Sequence, residues 1–209
     1  MVKLMLKAEK DKDTAEKILA GARKVFLVKG MAGARMQDIA DEAGINKALL
    51  HYYFSNKEKL FEKIFLEEAK KFFPKINMIF QSDLPLFEKI HQFAEEYIDE
   101  ILENPYLPLF VMNEINRDPD KFLYKIWGKD KLPRPEKFLQ QIEREVKKGV
   151  IKPISPLHLL MNMISMCIFP FVGKPMFMRN LGLDELQFRQ IMQQRKQEVP
   201  QFIINAIKK

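Results

Sequence analysis

The sequence is poor in the residues that build cross-links and metal sites. It contains one cysteine, Cys167, and three histidines in 209 residues. A single cysteine cannot form an intramolecular disulfide, and neither His91 nor His158 has a partner at metal-ligand spacing. These scarcities exclude a disulfide scaffold and a zinc-finger class of protein, and we expect no metal and no cofactor. We interpret Cys167 as a buried apolar residue rather than a redox sensor, and expect a reducing, cytoplasmic location.

Long apolar runs are also missing. The longest, residues 157–172, is interrupted by His158, Asn162, Ser165 and Pro170. It is shorter than the ~18 to 20 apolar residues that span a bilayer, and the N-terminus lacks the apolar core of a secretory signal. We therefore expect no membrane segment.

Signatures of catalysis are absent as well. The sequence has no glycine-rich phosphate loop, no cluster of His and Cys, and no nucleophile and base whose pairing can be deduced from spacing. Its 28 acidic residues are scattered in the way that is typical of solvated helix faces. The sequence therefore predicts a protein that is not an enzyme.

What the chain does have is positive charge, concentrated near one end. The net charge is +7, and residues 1–57 hold 11 Lys or Arg against 7 Asp or Glu. Residues 58–209 hold 24 against 21, so their excess is spread over a much longer stretch. An acidic partner such as nucleic acid therefore fits the N-terminal quarter best.

Apolar residues recur at helical spacing from Thr14 onward, without an alternating strand pattern, so the fold is predicted to be all-α. Thr14 is expected to cap the first helix and Gly30 to end it. Ser55 is expected to cap a long helix that runs toward Pro74.

The C-terminal part is predicted to consist of further helices. Pro133 and Pro135 are expected to break the pattern between two of them. The last two predicted helices extend from residue 157 to about Pro170 and over residues 183–208. Their apolar faces exceed what one subunit easily covers, so they are the predicted homodimer interface.

One stretch in the basic region has a distinctive pattern. Residues 34–57, ARMQDIADEAGINKALLHYYFSNK, divide into two short helices joined by a turn. Gly44 permits the turn without a Cβ penalty, Asn46 is a good N-cap for a helix over residues 47–53, and Leu50 can face inward. This arrangement is typical of a helix-turn-helix that reads DNA.

Residues 14–61 resemble the TetR (tetracycline-repressor-like) family of transcriptional regulators. The resemblance rests on ARKVFLVKG at the end of the first helix and on DIADEAGINKALLHYYFSNKEKLF, with Gly44 and Lys57 at the family's spacings. It implies a three-helix helix-turn-helix DNA-binding domain, predicted at residues 1–57, and a C-terminal helical ligand-binding and dimerisation domain, predicted at residues 58–209. It also implies a homodimer that binds a palindromic double-stranded DNA operator and is released by a small-molecule effector.

The resemblance also implies which side chains meet DNA. The family usually has hydroxyl residues at the positions of Ala34 and Arg35, and Tyr at that of His51. Ala34 cannot cap, Arg35 can contact phosphate with a full charge, and His51 should bind phosphate more strongly when protonated. The predicted DNA-binding residues are Arg35, Gln37, Asn46, Lys47, Ala48, Leu49, His51, Tyr52 and Lys57.

An effector pocket is expected among the C-terminal helices. Aromatic rings with polar tips suit an apolar pocket that contains a few orienting groups, and methionine can line an adaptable cavity, although it is more often plain core. The predicted pocket residues are Tyr97, Phe110, Tyr124, Trp127 and Met163.

The favoured function is therefore a ligand-responsive repressor. The alternative is a DNA-binding regulator that is controlled by a protein partner or by no effector. A buried cavity of ~300 to 1,000 Å³ would favour the first, and a filled core the second.

Overall fold

The computed structural model describes residues 2–128 and 135–209, with side chains from Asp11 onward. Predictions that concern Met1 and residues 129–134, among them the helix break at Pro133, lie outside the described residues. The described part holds no strand, only an isolated bridge between Ile151 and Lys208, so the predicted all-α class is confirmed. The helices are α1 (Val2–Gly33), α2 (Met36–Glu42), α3 (Lys47–Tyr53), α4 (Lys57–Gln81), α5 (Leu86–Glu103), α6 (Leu107–Arg117), α7 (Pro119–Trp127), α8 (Glu136–Lys147), α9 (Pro156–Val172), α10 (Lys174–Leu181) and α11 (Glu185–Ile207).

The chain divides into two compact units, Met1–Glu68 and Ala69–Lys209. The predicted domain boundary after residue 57 falls at the start of α4, whereas the division by contacts falls later in the same helix. The functional boundary at residue 57 stays a prediction.

The first unit packs α1 against the short helices. Ile18, Ala22 and Phe26 are fully buried. Gly21 lets α1 approach closely, since a Cβ there would lie 3.0 Å from the backbone nitrogen of Ala43, just after α2. A larger residue at position 21 would therefore push the helix-turn-helix away from its support.

Helix α1 begins earlier than predicted. It starts at Val2, so Thr14 lies inside it and is not its cap. Residues 2–13 contain neither Gly nor Pro and are mostly good helix formers, which explains the longer helix. Gly30 does interrupt the helix, with a φ of 67°, although one more turn follows and ends at Gly33.

Helix α4 is capped by a different residue from the one predicted. The Asn56 side chain, not that of Ser55, accepts a hydrogen bond from the backbone amide of Lys59 at 2.9 Å. Both residue types are good caps, and the local sequence does not decide between neighbours.

Helix α4 also runs through Pro74 to Gln81, where the sequence predicted an end near the proline. A proline removes one helical hydrogen bond but leaves the rest of the ladder available. Ile76, Ile79 and Phe80, which follow it, are all buried. Their burial offsets the cost of placing a proline inside the helix.

The second unit is built around α5, which packs against α9 and α11. Aromatic rings fill much of its core: the Phe80 ring stacks on Phe93 at 5.3 Å and on Phe138 at 4.7 Å. Lys89 is 1% exposed, and its ammonium donates to the Phe80 carbonyl at 3.2 Å. This bond satisfies one of the carbonyls left open at the end of α4, while burial lowers the pKa of Lys89.

Helix α9 continues through Pro170 because another helix repairs its ladder. Pro170 has no N–H to donate to the carbonyl of Met166, four residues earlier. The Arg195 guanidinium of α11 donates to that carbonyl instead, at 2.7 Å. The proline thus ties α9 to α11.

No single helix within the described ranges is long and apolar enough to cross a membrane. Only α9 and α10 taken together reach that length and hydropathy, and they are bent by 65° at the break between them.

Candidate nucleic-acid interface

The start of α2 has no side-chain cap from its N-cap residue, and a carboxylate in its first turn stabilises it instead. Arg35 occupies the N-cap position, and its backbone amide donates to the Asp38 carboxylate at 3.1 Å. The Lys29 ammonium lies 3.0 Å from the same carboxylate and, as its hydrogen-bond donor, holds the pKa of Asp38 below its usual value. Asp38 therefore stays ionised at the positive end of α2, where a carboxylate is favourable. Ala34 is buried and caps nothing.

The turn and the third helix form as the sequence predicts. Gly44 has a φ of 65°, and the amide of Ile45 donates to the carbonyl of Ala40 at 3.0 Å. The Asn46 side chain accepts from the backbone amide of Leu49 at 2.7 Å, which is the predicted N-cap. Leu50 is fully buried and fixes which face of α3 is turned inward.

The opposite face of α3 is open to solvent. Lys47, Ala48, His51 and Tyr52 are all exposed, and Tyr52 is 80% exposed. Their spacing of one, four and five residues places them on one side of the helix, away from Leu50. Leu49 lies at the edge of this face with 37% of its surface exposed. The structure thus assembles the core of the predicted contact surface.

The remaining predicted contacts flank this face. Arg35 and Gln37 are exposed at the start of α2, and the Gln37 amide donates to the Asp41 carboxylate at 2.7 Å. Among the predicted DNA-binding residues, Lys57 alone is half-buried. Its ammonium donates to the carbonyls of Ala32 and Ala34, at 3.3 and 3.1 Å.

The C-terminal end of α3 is held by side chains on both sides. The His51 Nδ1 lies 3.3 Å from the carbonyl oxygen of Ser55. The Tyr53 hydroxyl donates to the Asp11 carboxylate at 2.9 Å, and this acceptor raises the pKa of Tyr53. The half-buried Tyr53 ring thus links α3 to α1, 42 residues earlier in the chain.

A short helix with lysine, small and aromatic residues on one open face can enter a major groove, where side chains reach base edges and flanking groups reach phosphates. The sequence profile of the family described as bacterial regulatory proteins, tetR family, matches residues 18–64, which hold all of this surface. Residues 18–64 thus match the TetR family of transcriptional regulators.

The chain is also similar to curated helix-turn-helix transcriptional regulators. The chain is 27% identical over 144 residues to the uncharacterised helix-turn-helix regulator YhgD of Bacillus subtilis, across 69% of this chain and 75% of that protein. It is 26% identical over 141 residues to IcaR of Staphylococcus aureus, the negative transcriptional regulator of the biofilm operon icaADBC. This match covers 66% of this chain and 67% of that protein.

A TetR/AcrR-family regulator from Thermobifida fusca has the same fold. Its TM-score is 0.60 at 20% identity, across 90% of this chain and 97% of that one. The matched family and relatives are transcriptional regulators, which confirms the prediction that this chain is not an enzyme.

The residues predicted to line an effector pocket have different surroundings. Phe110 and Met163 are buried in the core, and Tyr124 is 52% exposed on α7. Trp127 and Tyr97 are half-buried. Their common role in a pocket remains a prediction.

Tyr97 has the most suggestive surroundings of the five. Its ring lies 5.0 Å from Phe72 and 5.2 Å from Phe93, and desolvation strongly raises the pKa of its hydroxyl. No hydrogen bond to this hydroxyl is found within residues 2–128 and 135–209. The hydroxyl of this half-buried ring is suited to bind one polar atom of an apolar molecule.

The structure also reveals a cavity that the sequence did not predict. A space of about 320 Å³ between α9 and α11 is lined by Met166, Arg195, Glu198, Val199 and Phe202. Arg195 enters it because of the carbonyl freed by Pro170. The one indication in the sequence was Pro170 inside an apolar helix, and a proline alone does not show that Arg195 would reach the freed carbonyl.

Proposed function

We propose that this TetR-family regulator is a repressor that binds a palindromic DNA operator as a homodimer through the open face of α3. The observation that carries the proposal is the pairing of a fully buried Leu50 with an exposed Lys47 and Ala48 on a capped helix. The buried side fixes the orientation of the helix, and the small and basic residues near its N-terminus can approach base edges.

The predicted contacts divide into two groups. Lys47, Ala48 and Leu49 face bases, with Asn46 and Gln37 at the margin. The phosphate-facing group consists of Arg35, His51, Tyr52 and Lys57. Phosphate contacts position a protein on the duplex, and base contacts specify sequence. Repression as the direction of control is supported by IcaR, whose name describes a negative regulator.

The homodimer is proposed to form through α9 and α11, which correspond to the last two predicted helices, with α10 between them. Leu157, Met161 and Phe169 recur at intervals of four or eight along α9 and are 54 to 61% exposed, and Phe202 of α11 is 64% exposed. Such an apolar face is typical of a subunit interface. A symmetric dimer carries two helix-turn-helix units, so its operator should be palindromic.

This interface can be tested with two matched substitutions. Met161→Asp should shift the protein from dimer to monomer in analytical ultracentrifugation and abolish operator binding. Leu109→Asp is the control, since Leu109 is a 46% exposed apolar residue on α6, outside the proposed interface. Equal behaviour of the two variants would contradict this assignment.

A small apolar effector is proposed to release the operator by binding near Tyr97. The phenol, which has no hydrogen-bond partner among the described residues, and its two aromatic neighbours support this site. Effector binding and operator binding would then weaken each other, with a coupling free energy of ~1 to 3 kcal/mol. A ligand found by thermal-shift screening should lose affinity in Tyr97→Phe, which removes only the hydroxyl, and should lower operator affinity in the wild-type protein.

The packing of the aromatic core favours a second candidate, a regulator that responds to a protein partner or to no effector. The stacked rings of Phe80, Phe93 and Phe138, together with the buried Phe110 and Met163, leave a well-filled interior. A screen that yields no ligand with operator-releasing activity would favour this candidate over the first.

The operator itself can be recovered by selection from a randomised duplex library, which does not require the regulated genes to be identified first. The selection should enrich an inverted repeat with half-sites about 34 to 36 Å apart or a multiple of it. Recovery of sequences without an inverted repeat would argue against binding as a symmetric dimer.

A further inference from the structure

The half-buried Lys57 differs from the exposed side chains around it in what its ammonium contacts. The Nζ atom lies 3.1 Å from the Ala34 carbonyl and 3.3 Å from the Ala32 carbonyl. These two carbonyls belong to the end of α1 and the link to α2, where helical partners are missing. An ammonium has three N–H donors, so two of them are already used within the protein.

The two bonds connect opposite ends of the helix-turn-helix. Lys57 is the first residue of α4 and comes three residues after Phe54, whose amide closes α3 on the Leu50 carbonyl at 2.8 Å. Ala34 comes two residues before α2 begins. The entry to α2 and the exit from α3 are therefore joined by one side chain, while Gly44 shapes the turn between the two helices.

Besides the contact with Lys57, the backbone of Ala34 itself makes one hydrogen bond among the described residues. Gly30 breaks α1 with a φ of 67°, and the amide of Ala34 then bonds back to the Gly30 carbonyl at 3.2 Å. Arg35 is exposed, and the neighbouring cation Lys29 is already engaged with Asp38. Without Lys57, two carbonyls would lose their donor at the point where the chain turns into α2.

We propose that Lys57 is a positioning residue, which sets the angle of the recognition helix by tying the entry of α2 to the exit of α3. This inference rests on the proposed DNA-binding function and changes the role of Lys57 within it. A lysine that only contacts phosphate strengthens binding to every duplex, because phosphates carry no sequence information. A lysine that positions α3 acts on the operator in particular, because base contacts depend on helix placement.

The test compares operator with scrambled duplex of equal length, by fluorescence anisotropy at fixed salt, for the full-length protein. Lys57→Met removes both donors and the charge. Lys59→Met is the matched control, since Lys59 is an exposed lysine at the start of the same helix, 3.6 Å from Glu62. In Lys57→Met we expect the ratio of operator to scrambled affinity to fall about tenfold, the size of a displaced base contact. In Lys59→Met the ratio should not change.

Amide hydrogen exchange of the DNA-free protein supplies an independent measurement. Lys57→Met should accelerate exchange in the segment from residue 34 to the first turn of α2, and Lys59→Met should not. If Lys57→Met does not fold, as judged by circular dichroism, Lys57→Gln takes its place with the same expectations.

An unchanged affinity ratio together with unchanged exchange would overturn the positioning role and leave Lys57 as a plain phosphate contact. Wild-type protein that binds operator and scrambled duplex equally would instead reject the proposed function, since no specific recognition would then exist to be positioned.

Discussion

Substitutions at Asn46 separate the folding of the recognition helix from its contact with DNA. The Asn46 side chain accepts from the Leu49 amide at 2.7 Å, at the start of a helix of seven residues. A helix this short is not stable by itself, so its cap and its buried face decide its population. Replacing such a cap by alanine costs ~1 kcal/mol, whereas serine is about as good a cap as asparagine.

We therefore expect Asn46→Ala to speed amide exchange at Leu49 about fivefold, the equivalent of ~1 kcal/mol, and to weaken operator binding by a similar factor. Asn46→Ser should behave like the wild type in both measurements, because its hydroxyl can accept from the same amide. Exchange is measured by nuclear magnetic resonance, which reports on this unit separately from residues 69–209. If Asn46→Ser keeps the wild-type exchange rate but loses more than about tenfold in operator affinity, Asn46 is a base contact first and the capping argument fails.

Two further predictions concern buried groups. Burial raises the pKa of the Cys167 thiol to about 12, so about one thiol in 10,000 is ionised at about pH 8. Iodoacetamide should label it, by intact mass, only after unfolding, and labelling of the folded protein at the rate of free cysteine would contradict this. Lys89→Ala should lower the free energy of unfolding in urea by about 2 to 4 kcal/mol, because it leaves a cavity and an unpaired Phe80 carbonyl; a loss under about 0.5 kcal/mol would show that the carbonyl finds another donor.

The local features of the helix-turn-helix were predictable because they depend on neighbouring residues. Asn46 caps α3, Gly44 adopts a positive φ, and α3 covers residues 47–53 as predicted. Each of these features follows from chemistry within four residues along the chain. The same short-range pattern predicted that the helices form and that Leu50 is buried.

The features that escaped prediction depend on residues far apart in sequence. The contact of Lys57 with Ala34 spans 23 residues, and that of Arg195 with Met166 spans 29. In both cases a long cationic side chain satisfies a backbone carbonyl that local structure leaves open, and helical periodicity carries no information about which cation will reach it. The continuation of α4 through Pro74 also depends on distant residues, because burial of the helix in the folded unit outweighs the local tendency of proline to end a helix.

The operator affinity of Lys47→Ala, compared with that of Lys59→Ala, tests whether α3 is the helix that reads DNA. Both lysines are exposed in the first unit, but only Lys47 lies on the open face of α3. We expect Lys47→Ala to keep its helical circular dichroism and lose specific operator binding, while Lys59→Ala binds the operator with no more than the small loss of one surface charge. An unchanged footprint and affinity for Lys47→Ala would contradict the assignment of α3 as the helix that reads DNA.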